Sequence, residues 1–184
     1  MFLSASSYSD DIRDIKIEGI SIGDSLLDFF SEQEIKKSER KDYYIDDKFT
    51  AVDFFDVSFF EIYEGTQIHY KTKDKKYSIF SVDFINTYED NINECYKKKN
   101  ELVKELSIKY KSAKKIKAKE KHEADTSGES LVTSVYFVFK SGDFVTVECL
   151  DWSERMKYPD QIRVSINLNE LNVWLMDPNT YKKK

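Results

Sequence analysis

The sequence predicts an α+β protein of two layers, an antiparallel β-sheet with one short and one long amphipathic helix packed on one face. Three observations carry that reading. Residues 49–87 and 131–174 are strand-length runs rich in aromatic and β-branched side chains. Between them, residues 89 to about 118 place apolar side chains at three- and four-residue steps, the period of a helix with one buried face. Few connections are long enough for the crossovers that parallel strands require, so the order β-α-β-β-β-α-β-β-β is read as antiparallel. At 184 residues with 40% hydrophobic content, one domain with its own core is expected over residues 10–184.

The first element is a short strand in which Ile15, Ile17, Ile20 and Ile22 alternate with polar residues, broken in phase at Gly19. Gly23 ends it, and Asp24 or Ser25 caps a short helix whose apolar face is Leu26, Leu27 and Phe30. "FTAVDFF", "FFEIYEG", "TQIHYKT" and "KYSIFSVDFI" follow as strands, with turns at Glu64-Gly65 and at residues 73–76. The long helix carries Ile92, Cys95, Leu102, Val103, Leu106, Tyr110 and Ala113 on its apolar stripe, and "EKHEADTSGES" is a loop. "SLVTSVYFVFKSGDFVTVECLDW" is a hairpin turning at Ser141-Gly142, which pairs Lys140 with Asp143. That register places Val135, Phe137, Phe139, Phe144 and Leu150 on one face and Tyr136, Val138, Val145, Val147 and Cys149 on the other. "QIRVSINLNELNVWLM" supplies a last strand and a short helical turn.

Charge is unevenly spread. Residues 1–65 hold 16 acids and 7 bases, whereas residues 66–184 hold 18 acids and 22 bases. That balance does not describe a nucleic-acid binder, so no nucleic acid is expected as a partner. From Lys97 to Lys121 there are 11 lysines against three glutamates. Lys104, Lys111, Lys114 and Lys115 are the candidate face for an anionic partner, weighed against a merely solvated helix face. No apolar run reaches the roughly 20 residues of a transmembrane helix.

Chemistry-bearing motifs are sparse. "GISIGDS" has neither the three glycines of a dinucleotide fingerprint nor the Gly-Lys-Ser/Thr of a P-loop, and Asp24 would repel a phosphate. With only His69 and His122 present, no metal site, cofactor or catalytic residue is assigned. The 150–160 loop holds Trp152, Arg155, Met156 and Tyr158, residue types favoured at binding hot spots. They are the candidate binding residues for a small ligand or partner protein, unless Trp152 and Tyr158 fold back over the sheet edge. Cys95 on the helix stripe and Cys149 on the valine face of the hairpin meet if the helix packs there. A disulfide in an oxidising compartment and two buried free thiols are both open readings.

Residues 1–9 lack charge, and Ser7 and Ser9 sit like the −3 and −1 positions of a signal-peptidase site. They are expected to be a disordered tail or the remnant of an export signal. The motif carried by Gly19, Ile20, Ile22, Ser25, Leu26 and Leu27 resembles the repeat of small bacterial envelope proteins of the SmpA/OmlA and β-lactamase-inhibitor-protein-like group. That resemblance implies an exported, non-catalytic α+β module. The expectation is therefore a periplasmic or otherwise exported binding protein without a cofactor. The alternatives are an enzyme with a carboxylate or tyrosine site in a cleft of the sheet, and a cytoplasmic protein that docks on a polyanion through the lysine-rich helix.

Overall fold

The structure is a computed structural model that describes residues 11–41, 44–55, 60–89 and 91–180. The tail at 1–9, with Ser7 and Ser9, lies outside the described residues. Seven strands form one antiparallel sheet: β1 (Phe49–Phe55), β2 (Gly65–Lys71), β3 (Ile79–Thr87), β4 (Lys114–Lys121), β5 (Leu131–Val138), β6 (Phe144–Asp151) and β7 (Gln161–Asn167), in the spatial order β1-β2-β3-β7-β6-β5-β4. Three helices accompany them: α1 (Glu32–Ser38), α2 (Ile92–Lys109) and α3 (Asn169–Leu175). The α+β architecture is the expected one, with several local differences.

The N-terminal segment is not a strand. Ile17 and Ile20 bridge across a tight turn at Glu18 and Gly19, whose φ angles are 52° and 81°. The turn folds Ile12, Ile15, Ile20 and Ile22 onto the sheet, where all four are buried. Ser25 caps only a single 3-10 turn, Leu26–Asp28. The helix proper starts later, at Ser31, which forms a reciprocal capping box with Glu34. Residues 60–64, expected as strand, are bends and irregular backbone; Phe59 is outside the described residues.

The long helix ends at Lys109, and its expected last turns are β4, the outermost strand, paired with β5 from Lys114↔Val138 to Lys121↔Leu131. Lys115, Lys117, Lys119 and Lys121 alternate with Lys114, Ile116, Ala118 and Glu120. That two-residue period satisfies the outer edge of β5, while long lysine stems keep their charges in water.

The hairpin register differs by one residue from the expected one: Val138 faces Phe144, and Phe139 N–H donates to Asp143 O (2.9 Å). The connection is a three-residue loop with Gly142 at φ 89°. A one-residue slip exchanges the faces of one strand. Val135 and Phe137 therefore share a face with Val145, Val147 and Cys149.

That face is apolar and covered. Isoleucines of the N-terminal segment and Ile35 of α1 pack over β1–β3, and Phe30 stacks on Phe54 with ring centroids 3.8 Å apart. α2 lies along β6 and β7, with Ile92, Tyr96, Leu102, Val103 and Leu106 against Val147, Ile162 and Val164. Cys95 and Cys149 are joined by a disulfide with Cα atoms 6.0 Å apart. On the opposite face, among the described residues, α3 covers one corner, seating Leu171 and Trp174 against Phe49 and Phe80.

Candidate functional site

The uncovered face of the sheet is polar because every central strand carries polar side chains at alternate positions. Following the register from β1, one row reads Asp53, Gln67, Asp83, Ser165, Thr146 and Tyr136. The next row reads Phe55, Gly65, Ile85, Arg163, Glu148 and Ser134. A side chain at Gly65 would lie 2.2 Å from the Phe55 ring. Glycine there lets that ring cross the neighbouring strand and wall one side of the face.

Two hollows share Arg163. One, of about 280 Å³, has Arg40, Asp53, Gln67, Gln161 and Arg163 as its polar lining, with Phe55, Trp152 and Tyr158 around them. The other, of about 420 Å³, includes Glu148, Ser134, Tyr136, Glu120 and His122. Inside the first, Arg40 is paired with Asp53: Arg40 Nη1 is 2.5 Å from Asp53 Oδ2, and Gln67 Nε2 donates to Asp53 Oδ1 (2.8 Å). In the second, Arg163 Nε lies 3.9 Å from Glu148 Oε1, and Ser134 Oγ donates to Glu148 Oε2 (3.2 Å). Burial pushes the Glu148 carboxyl above its ordinary range, and the neighbouring guanidinium only partly opposes that.

Trp152 stands between the hollows. Its ring packs on His122 (centroids 4.3 Å) and Tyr158 (5.1 Å). The Trp152 backbone N–H donates to Asp160 Oδ1 (3.0 Å). The two loops that carry this cluster are held together by Asp125. Its carboxylate accepts from Ser127 and Ser130, each through backbone and hydroxyl, and from Ser153 Oγ at 2.9 Å. Those donors hold its carboxyl well below the usual carboxylate range.

Of the residues singled out in the sequence, Trp152 and Tyr158 line the first hollow, whereas Arg155 and Met156 lie on the 3-10 turn Glu154–Met156 and line neither. The four lysines of the expected anionic face are dispersed. Lys104 is on α2, Lys111 follows its end, and Lys114 and Lys115 lie on opposite faces of β4. His69 lies under the α3 corner, with Nε2 hydrogen-bonded to the Tyr44 hydroxyl (2.7 Å) and Nδ1 to Ser81 Oγ (2.9 Å). No group of three or more His, Cys, Asp or Glu side chains suited to a metal ion occurs among the described residues. No described helix is long and apolar enough to cross a membrane.

This chain matches no family model, no curated protein and no solved structure. The polar face with its two hollows is the candidate site. The residues that build it were not singled out in the sequence: Asp53, Gln67, Asp83, Glu148 and Arg163. The signal for them is period two. In "AVDFF", "SVDFI", "VTVECL" and "QIRVSI" a polar residue recurs on the face opposite the apolar ones, a pattern that marks a sheet with one dry face and one wet face.

Proposed function

We propose that the protein is an exported binding protein that takes a small, neutral, polyhydroxylated ligand of saccharide type on the polar face of its sheet. The observation that carries this reading is the make-up of the hollow beside Arg163. Planar hydrogen-bonding side chains (Arg40, Asp53, Gln67, Gln161 and Arg163) lie among Phe55, Trp152 and Tyr158. Rings offer flat apolar surface to the C–H face of a sugar, and the planar groups donate to and accept from its hydroxyls. Arg40 is paired with Asp53, and Arg163 has Glu148 of the neighbouring hollow at 3.9 Å as its counter-charge, which favours a ligand without net charge. The disulfide supports an oxidising compartment, and the short likeness to envelope proteins points the same way. The enzyme reading has Glu148 in its favour, a carboxyl only 16% exposed beside Arg163 that burial pushes above its ordinary range.

A fluorescence titration tests the proposal. With Trp174→Phe, Trp152 is the only remaining indole of two, and its emission is followed against a panel of neutral mono- and oligosaccharides. The reading predicts a saturable change, insensitive to salt, that is lost in Phe55→Ala and Tyr158→Ala. Both side chains are more than half exposed, at 54% and 57%, so the melting temperature should hold. No saturable change with any sugar, or binding that survives both substitutions, would contradict it. Cleavage of the bound sugar that stops in Glu148→Gln would establish the enzyme reading instead.

A further inference from the structure

We propose that the outer edge of β4 is a docking site for an extended acidic segment of a partner protein, which adds to the sheet as an eighth strand. β4 ends the sheet, so alternate backbone N–H and C=O groups along it face outward, a template for strand addition. By register, Lys115, Lys117, Lys119 and Lys121 occupy the α2 side of this strand, and Lys115 Nζ donates to Ser107 Oγ on α2 (3.1 Å). Successive members of the row are about 7 Å apart along the strand, the same repeat as alternate side chains of a second strand laid beside it. Glutamates at every other position of an incoming segment would then stand opposite lysines throughout.

The surroundings segregate charge. Of the α2 acids, Glu94 is paired with Lys97 (3.9 Å), while Glu101 lies near Tyr88 and Glu105 near Tyr63. On the β4 side, Lys99 of α2 is drawn down until its ammonium donates to Thr133 O (3.1 Å) and Thr133 Oγ1. Its pKa is lowered by burial, which the Glu148 carboxylate partly opposes and Lys117, a further positive neighbour, reinforces. Among the described residues none of Lys99, Lys115, Lys117 or Lys119 forms an ion pair. The row is thus an unneutralised positive edge. A second copy of this chain does not fit it, because antiparallel β4–β4 pairing sets lysine against lysine. A single-stranded nucleic acid fits less well than a peptide. Tyr96 is overlaid by Lys99 Nζ at 5.0 Å and Tyr110 is 6% exposed, so neither α2-side ring is open for base stacking.

The test is amide hydrogen exchange on the full chain with a synthetic peptide of about eight residues alternating glutamate and threonine, matched to the length of β4. The expected result is slowed exchange at alternate β4 amides, an affinity that falls with salt, and no effect from the lysine-threonine counterpart. Lys117→Glu with Lys119→Glu should weaken binding about tenfold or more; both side chains are exposed, and an unchanged melting temperature confirms the fold. Lys117→Gln with Lys119→Gln should give a smaller loss in the same direction. The proposal is overturned if the acidic peptide leaves β4 exchange unchanged, or if the glutamate variant binds as tightly as wild type. Tighter binding of oligothymidylate without slowed exchange would also overturn it, as would dimerisation through this edge.

Discussion

His69 illustrates how a buried side chain ties stability to pH. It is 3% exposed, both ring nitrogens are hydrogen-bonded, and burial pulls its pKa from 6.5 to about 4. The unfolded chain binds the proton more readily than the folded one, so this group's contribution is full above pH 6.5 and is lost as pH falls through about 4. Complete loss is worth roughly 3 kcal/mol. Denaturant unfolding between pH 7 and 4 should show that decline, and His69→Gln should flatten it; an unchanged slope would show that another group dominates. Asp125 makes a separate prediction. Asp125→Ala should release the 122–130 and 152–159 loops together, seen as faster amide exchange in both. Release of the first loop alone would show that the Ser153 bond does not couple them.

Among the elements, α2 shows how much a sequence pattern decides. Its apolar stripe and the valine face of β6 were legible because period and residue type agreed, and the disulfide sits where those two surfaces touch. Cross-linking residues 54 apart stabilises by about 4 kcal/mol in the chain-entropy model. Reduction, or Cys95→Ser with Cys149→Ser, should therefore lower the melting temperature by roughly 10 °C; a fall of only a degree or two would contradict that. The end of α2 was not legible. "KKIKAKEK" has lysines at both helical and strand spacings, and only the vacant edge of β5 selects the strand. The hairpin faces were misread for a related reason. Ser141-Gly142 fits a two-residue loop and a three-residue loop equally, and the choice of which valines meet α2 is made by tertiary packing. At the N-terminus, local signals for a strand and a helix were real but were used by a turn at Glu18-Gly19 and by a cap at Ser31 instead.

At the scale of the whole molecule, the sheet separates two tasks. One face is closed by the N-terminal segment, α1 and α2, and fastened by the disulfide; the other keeps charged and amide groups in rows with loops at the rim. The dry face was readable from apolar periodicity. The wet face was not, because its polar residues are scattered over positions 53–165 and acquire a common address only when the register aligns them. This wet face is the proposed ligand-binding surface. Chemical-shift mapping on the isotope-labelled full chain with a saturating saccharide tests it most directly. The predicted result is perturbation concentrated at Gln67, Asp83, Glu148, Trp152 and Arg163, with α2 silent. Shifts confined to α2 and β4, or none at those five residues, would contradict it.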